Sequence, residues 1–154
     1  MKKYFAIIFV AAMIFSMAAC GSKGLDKAQL QLSEYDGVEV NEAVQMFIKQ
    51  KTVTDASELV ALAYENLTDK DYTYDAGARL EVFLDGNWYL VPALSDAMTM
   101  ELYHLAAGAV EQGQFVLSGN YDKLEEGSYR VIKLFVDSEG NQAVAAAQFD
   151  IGRA

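Results

Sequence analysis

The sequence from Leu124 to Val136 reads LEEGSYRVIKLFV. It begins with the pattern Leu-x-x-Gly-x-Tyr and continues, after Tyr129, into a run of residues that favour β-strands. The pattern is typical of a tyrosine corner, in which the tyrosine hydroxyl bonds to backbone a few residues upstream and fixes the crossover between two sheets. We therefore predict an all-β chain folded as an antiparallel Greek-key β-sandwich, in which Leu124, Gly127 and Tyr129 have structural roles.

Period-two alternation of apolar and polar residues predicts further strands on both sides of this motif. Asp85–Asn87 is a hairpin signal, because these residues tolerate the positive φ of tight turns, and it leads into a strand at Trp88–Val91 that Pro92 ends. A second hairpin loop, Asp137–Asn141, leads into the last strand. The residues predicted to share the core face of their strands are Val44, Met46, Ile48, Val60, Leu62, Tyr64, Leu80, Val82, Leu84, Ala143, Ala145, Ala147, Phe149 and Ile151.

One segment has a different composition. Ser95–Gly113 is rich in Ala, Met, Leu and Glu, which favour helices. Ser95 can cap such a helix and Gly113 can end it. Local propensity therefore predicts a short helix at Asp96–Ala107, inserted into the sandwich.

The N-terminus carries a targeting signal. A basic start at Lys2 and Lys3 precedes the apolar run Tyr4–Ala19, which is shorter than the ~20 residues of a transmembrane helix and suits a signal peptide. Met17–Cys20 resembles a bacterial lipobox, which implies cleavage before Cys20 and acylation of that cysteine. Two alternatives stay open: Cys20 could end an uncleaved anchor, or lie by chance near an ordinary secretory cleavage site.

These segments predict three regions: a signal peptide at 1–19, the lipidated cysteine and a tether at 20–41, and the sandwich domain at 42–154. The chain has a formal net charge of −10, from 22 acidic and 12 basic residues. Cleavage would remove Lys2 and Lys3 and leave a net charge of −12. This charge argues against nucleic acid as a partner and against electrostatic attachment to anionic lipid, so the lipid anchor would hold the protein on the membrane.

Three segments occur in an order typical of a known family. They are Asn66–Tyr74 (NLTDKDYTY), Arg79–Tyr89 (RLEVFLDGNWY) and Leu124–Lys133 (LEEGSYRVIK). Together they resemble the bacterial immunoglobulin-like domain of lipoproteins and extracytoplasmic proteins in Gram-positive bacteria, over Asn41–Ile151. The resemblance implies an Ig-like sandwich, adds Trp88 to the structural motif, and makes Ala109–Leu117 a strand. It implies no catalytic residue and no cofactor.

The sequence departs from this family at one motif. Asp122 stands where a glycine usually follows the first tyrosine of the last motif, and the aromatic residue expected before Tyr121 is missing. The path of the chain between Pro92 and Asn120 is therefore less well defined by the resemblance than the rest.

Candidate catalytic and metal-binding residues are few. His104 is the single histidine, and no partner for general-base chemistry can be assigned to it from the sequence. Asp69, Asp71 and Asp75 form an acidic loop that lacks the spacing of a calcium site, with Leu80 in place of the closing glutamate. We predict no metal site and no catalytic residue. A single cysteine also excludes a disulfide framework.

Aromatic and apolar residues offer the remaining candidates for a binding surface. Trp88, Tyr89, Tyr72 and Tyr74 could form an exposed patch for a protein or glycan, although core packing is the expectation for Trp88. The run Tyr129–Val136 is apolar on both faces, so it is either a central strand covered on both sides or an apolar interaction surface.

The function expected from these observations is a non-catalytic binding or structural role for a lipid-anchored, extracytoplasmic protein of the cell envelope. The alternatives are an accessory or inhibitory lipoprotein that docks on an envelope enzyme or sensor, and a small-ligand carrier or hydrolase with Pro92–Asn120 as a lid.

Overall fold

The computed structural model describes residues 25–50, 53–54, 57–95, 101–122 and 124–152. Within these residues a short 3₁₀ helix covers Lys27–Gln29, and all other regular elements are strands. The strands are β1 (Gln31–Leu32), β2 (Val44–Ile48), β3 (Val53–Thr54), β4 (Leu59–Asn66), β5 (Tyr72–Asp75), β6 (Arg79–Leu84), β7 (Asn87–Leu90), β8 (Leu102–Leu105), β9 (Val110–Val116), β10 (Gly127–Asp137) and β11 (Gln142–Gly152).

The strands form two sheets. The larger has the order β1-β7-β6-β10-β11-β3, with β5 paired to one end of β10 and β8 paired to β5. The smaller has the order β2-β4-β9. All pairs are antiparallel except β3 with β11. The predicted all-β sandwich is therefore confirmed.

The core lies between the inner faces of the two sheets. Predicted core-face positions such as Val44, Val60, Leu62, Leu80 and Ala145 are each at most 1% exposed. The larger side chains at the centre, Tyr129 and Phe135, are equally buried. At about 1.5–3 kcal/mol for each fully buried large apolar side chain, these inner faces supply the main stabilising term of the fold.

Both predicted hairpins are present. Asp85 and Gly86 adopt positive φ angles of 49° and 90° between β6 and β7.

In the β10–β11 loop, the carboxylate of Asp137 accepts hydrogen bonds from the backbone of Glu139 and Asn141 and from the Asn141 side chain. These donors, with Lys70 at 3.2 Å, lower the pKa of Asp137 to about 2.

The predicted helix at Asp96–Ala107 is wrong where the structure describes it. Residues 102–105 form β8, which pairs with β5 and places Leu105, fully buried, opposite Tyr72. Residues 96–100 lie outside the described part of the chain. Local helix propensity is only a few tenths of a kcal/mol per residue, so strand pairing and burial of Leu105 outweigh it. The strand implied over Ala109–Leu117 is confirmed as β9.

The segment 25–41, placed in the tether by the sequence, lies against the larger sheet. Residues Gln31–Leu32 pair with β7. Asn41, at a φ of 64°, bonds through its side chain to both the carbonyl and the N–H of Ala146 on β11. The domain thus receives an additional strand and an edge contact from this segment.

No helix among the described residues is long and apolar enough to cross a membrane.

Candidate functional site

An open cleft of about 990 Å³ lies between the two sheets, beside β9. One wall comes from β4 and β9, and the other from the strand ends and loops at residues 74–80 and 90–93 of the larger sheet. Its aromatic lining consists of Tyr64, Tyr74, Tyr103, Phe115 and Tyr121. We call this feature the aromatic cleft.

The tyrosines of the cleft are held by strand pairing and by ring contacts. The β5–β8 register places Tyr74 opposite Tyr103, and their rings stack with centroids 5.4 Å apart. Tyr74 also packs at 5.5 Å against the edge of Tyr64 and at 5.1 Å against Phe135 in the core. Tyr103 is 40% exposed, whereas Tyr64 is 4% exposed. The row of rings therefore runs from the core to solvent and offers an apolar surface to a bound group.

Lys133 lies at the floor of the cleft and is 3% exposed. Its Nζ donates to the carbonyl oxygens of Asp75 and Gly77 at 2.6 and 2.7 Å. It also lies 5.1 Å from the ring centroid of Tyr74 and 5.9 Å from that of Tyr64, within cation–π range. Burial lowers the pKa of Lys133 to about 8, against the opposing effect of the Asp75 charge. The floor of the cleft is thus positively charged at neutral pH.

The wall formed by β9 depends on a glycine. A Cβ atom on Gly113 would lie 2.6 Å from Cε2 of Tyr64, closer than real Cβ contacts. Gly113 therefore leaves the space that the Tyr64 ring occupies. Beside it, the exposed residues Gln112, Gln114 and Asn120 also line the cleft. Polar residues at the edge of the cleft and aromatic rings inside it are suited to hold a ligand that has both polar and apolar faces.

Lys133 was not among the candidate residues predicted from the sequence, although the alternation along β10 indicates that its side chain is unusual. Strand β10 alternates with period two, so Lys133 shares the inward face with Val131 and Phe135, both fully buried. A lysine at such a position must either reach solvent or find buried acceptors, which marks it as unusual. The cleft itself had no sequence signal, since its walls come from strands far apart in the chain.

The tyrosine-corner residues lie together at the start of β10. Tyr129 is 1% exposed, and its hydroxyl donates to the carbonyl of Glu125 at 2.9 Å. Its ring stacks on Phe149 at 6.1 Å, and Leu124 is buried nearby in the same core. Burial raises the pKa of Tyr129 to about 12. This contact connects the loop before β10 to the sandwich core.

Trp88 is not in the core, contrary to expectation. It is half-buried on the outer face of the larger sheet, with the guanidinium of Arg130 over its ring at 4.4 Å and Phe83 beside it at 5.0 Å. Its backbone N–H donates to Asp36 at 2.9 Å. Trp88 therefore covers the buried Arg130 rather than filling the space between the sheets.

The four aromatic residues proposed as one exposed patch are separated in the structure. Tyr72 is 6% exposed, Tyr74 lines the cleft, and Trp88 and Tyr89 lie half-buried on β7.

Of the two interpretations of the apolar run Tyr129–Val136, the central strand is correct. Strand β10 lies between β6 and β11, and Ile132 on its outer face is 1% exposed.

The candidate metal and catalytic residues lie outside the cleft, apart from Asp75 at its lining. His104 is exposed, with Nε2 3.3 Å from Asp71. Asp71 also accepts from the N–H of Ala107, which lowers its pKa, while Asp75 accepts from the N–H of Gly77. Across the described ranges, no group of three or more His, Cys, Asp or Glu side chains could hold a metal ion. Cys20 and the lipobox lie outside the described residues.

Comparison with known proteins gives one family match. A family model described as a bacterial Ig-like domain matches residues 40–150, which confirms the resemblance found in the sequence. No curated protein matches the chain at a significant level.

Similar solved structures include two of an archaellum from Sulfolobus acidocaldarius. The periplasmic stator protein FlaG is 19% identical, with 69% of this chain and 99% of that chain covered and a TM-score of 0.37. The stator complex of FlaF and FlaG is 16% identical, with 84% of this chain and 99% of that chain covered and a TM-score of 0.39. A β-glucosidase, EmGH1 from Erythrobacter marinus, is 12% identical over 80% of this chain and 16% of that chain, with a TM-score of 0.35. These likenesses are too weak to carry an inference about the role of this chain.

Proposed function

The chain belongs to the bacterial Ig-like domain family, and on that premise we propose that it is a non-catalytic binding or structural protein of the cell envelope. It is held on the extracytoplasmic side of the membrane by lipid on Cys20, and it binds a protein or glycan partner through the aromatic cleft. The observation that carries the binding role is the stacked pair Tyr74–Tyr103, which extends from the core to the cleft opening.

The geometry of the cleft favours binding over catalysis. The Lys133 ammonium is directed at two carbonyl oxygens and is covered by tyrosine rings, so it supplies a fixed charge below the surface. The exposed lining of the cleft includes the ring of Tyr103 and the polar residues of β9, which can recognise shape and hydrogen-bonding pattern. His104, the single histidine, contacts Asp71 and is not among the residues that line the cleft.

The proposed lipid anchor is supported by the N-terminal sequence and by the net charge. An acylated cysteine would insert its chains into the bilayer at about 0.8 kcal/mol per buried CH₂. The net charge of −12 after cleavage repels anionic headgroups, so the acyl chains would supply the attachment. Acyl labelling of the wild type and of Cys20→Ser tests this part, and undiminished labelling of the variant would reject it.

The binding role is tested by capture of envelope components on the full chain in detergent. We expect Tyr103→Ala to reduce capture of a reproducible partner about tenfold, since a stacking ring contributes roughly 1 kcal/mol or more at a contact. Phe47→Ala is the matched control, because Phe47 is 44% exposed on β2, outside the cleft. Equal capture by wild type and Tyr103→Ala would show that the cleft is not the binding site.

A small-ligand carrier is the second candidate, and the size of the cleft favours it. A volume of about 990 Å³ is sufficient for a ligand of drug size. Native mass spectrometry of the full chain would detect a co-purified molecule of low mass. A ligand lost from Tyr103→Ala and retained in Phe47→Ala would support the carrier over a macromolecular partner.

A further inference from the structure

Strand β9 forms an edge of the smaller sheet. It pairs along its length with β4, from Leu59 opposite Val116 to Glu65 opposite Val110. On its other side, no strand pairs with it in the part of the chain that the structure describes. An edge of this length presents a row of backbone groups that can pair with another strand.

The backbone groups at this free edge can be assigned from the hydrogen bonds to β4. The N–H of Asn66 donates to the carbonyl of Ala109, and the N–H of Leu117 donates to the carbonyl of Glu58. Backbone groups alternate in direction along an antiparallel strand, so the odd-numbered residues between them also face β4. The N–H and C=O groups directed away from β4 therefore belong to Val110, Gln112, Gln114 and Val116, of which the Val116 carbonyl accepts from the Asn120 side chain.

The side chains of these four residues lie on the outer face of the sheet. Phe115, of the other parity, is 7% exposed and packs in the core, whereas Val110 and Val116 are 60% and 40% exposed. Protected edges usually carry a lysine or proline or an inward-pointing charge. Strand β9 (VEQGQFV) has neither lysine nor proline. Its single charged residue, Glu111, has the parity of Phe115 and is therefore the one inward-directed charge on this edge, although the residue is exposed.

The sequence of β9 is nearly palindromic about Gly113. Val110 and Val116 are equidistant from it, and so are Gln112 and Gln114. A twofold axis at Gly113 would place valine opposite valine and glutamine opposite glutamine in an antiparallel pair. The contact between two copies related by a twofold axis must be self-complementary in this way.

The hydrogen-bonding pattern allows this register and those shifted by two residues, and the valine and glutamine matches distinguish it from the shifted ones. With Gly113 on the axis, each residue that has edge-facing groups is opposite another such residue, so Gln112 and Gln114 can exchange hydrogen bonds and the Val116 N–H can donate to Val110. The Val116 carbonyl accepts from the Asn120 side chain at 3.1 Å, which the Val110 N–H would replace or share. A shift of one residue would oppose edge-facing groups to groups already bonded to β4. The Gly113 register also places Glu111 opposite Phe115 of the second copy, which avoids a direct contact between like charges.

We propose that two copies of this chain pair antiparallel along β9, with Gly113 on the twofold axis, so that the two smaller sheets become one continuous sheet. The valine pairs are then covered at both ends of the contact, and the glutamine amides bond to one another at its centre. This inference does not depend on the lipid anchor. Confinement of anchored copies to a membrane would raise their effective concentration and favour the pair.

Sedimentation equilibrium of the full chain in detergent tests the proposal, with a monomer–dimer equilibrium expected for the wild type. Gln112→Lys/Gln114→Lys places lysine opposite lysine twice, and Gln112→Glu/Gln114→Glu does the same with glutamate. Each variant should dimerise about tenfold more weakly, because like charges directly opposite destabilise a strand pair. An equimolar mixture of the two variants should recover dimerisation, since opposite charges then face each other.

The control is Gln45→Lys/Gln142→Lys, which makes the same change at two positions on β2 and β11, away from β9. This variant should dimerise like the wild type. Recovery in the mixture excludes misfolding of the charged variants as the cause of their weaker dimerisation. A wild type that stays monomeric, charged variants that dimerise like the wild type, or a mixture without recovery would each overturn the proposal.

Discussion

Arg130 donates a hydrogen bond from Nε to Oε2 of Glu81 at 2.7 Å, and both side chains are at least nine-tenths buried. The pair joins neighbouring residues on β10 and β6. The other carboxylate oxygen of Glu81 accepts from the hydroxyl of Ser33, and Arg130 donates to the carbonyl of Tyr35 at 3.1 Å. One buried ion pair thus holds the N-terminal segment on the outer face of the larger sheet.

Removing one partner of this ion pair should lower the free energy of unfolding substantially. We expect Glu81→Ala to lower the free energy of unfolding by about 3–5 kcal/mol, because the Arg130 charge is left buried without its carboxylate. Urea denaturation measures the loss, and limited proteolysis should show earlier cleavage near Ser33–Tyr35. In the control Glu34→Ala, the lost partner is Arg79 in an exposed pair, and a loss of about 0–1 kcal/mol is expected. Equal losses in both variants would contradict the role of the buried pair.

The hydrogen bond of the tyrosine corner can be removed without a change of volume. Tyr129→Phe should lower the free energy of unfolding by about 1–2 kcal/mol, because the Glu125 carbonyl loses its donor. Tyr64→Phe is the control, since Tyr64 is 4% exposed and lines the cleft. Its loss should stay within about 0.5 kcal/mol. Thermal or urea unfolding of both variants gives the comparison, and an unchanged stability of Tyr129→Phe would refute the prediction.

The close approach of Gly113 to Tyr64 predicts a coupled pair of substitutions. Gly113→Ala should destabilise the fold by about 1–3 kcal/mol, since its methyl group would overlap the Tyr64 ring. In a Tyr64→Leu background the same change should cost little, because the ring that creates the overlap is gone. A double-mutant cycle of unfolding free energies measures this coupling. Additive losses would show that the ring is not the cause.

Lys133 predicts a pH dependence of stability. The folded chain releases this proton near pH 8, whereas the unfolded chain holds it up to its ordinary pKa of 10.5. The unfolded state therefore binds more protons between these values, and stability rises with pH in this range. Relative to Lys133→Met, the wild type should gain about 1–2 kcal/mol between pH 7.5 and 9.5, measured by urea unfolding. Parallel pH profiles of the two proteins would count against a depressed pKa.

Elements with a local signal could be predicted from the sequence. The alternation around Val60 and Leu80 and the Asp85–Gly86 turn follow from rules that act over a few residues, and each appears in the structure as expected. The family resemblance predicted the strand β9, although the composition of Ser95–Gly113 favours a helix. The predicted helix was wrong because Leu105 gains more from burial beside β5 than the segment gains from helix propensity.

The candidate site needed contacts between distant parts of the chain. Tyr74 and Tyr103 stack because β8 pairs with β5, and Lys133 finds its acceptors in the loop after β5. Nothing in the spacing of these residues indicates such contacts. The placement of Trp88 was wrong for the same reason, since Arg130, which it covers, is on a strand far along the chain.

The sequence by itself determined the alternating strands β2, β4, β6, β7, β10 and β11, the hairpins, the family and the expectation of a lipidated Cys20, because each depends on residue types at short, fixed spacing. The tertiary structure alone decided where the aromatic cleft lies, which charges are buried and which strand edge has no partner strand among the described residues. Those properties depend on which strands become neighbours, and pairing energy accumulates over whole sheets rather than within any one segment.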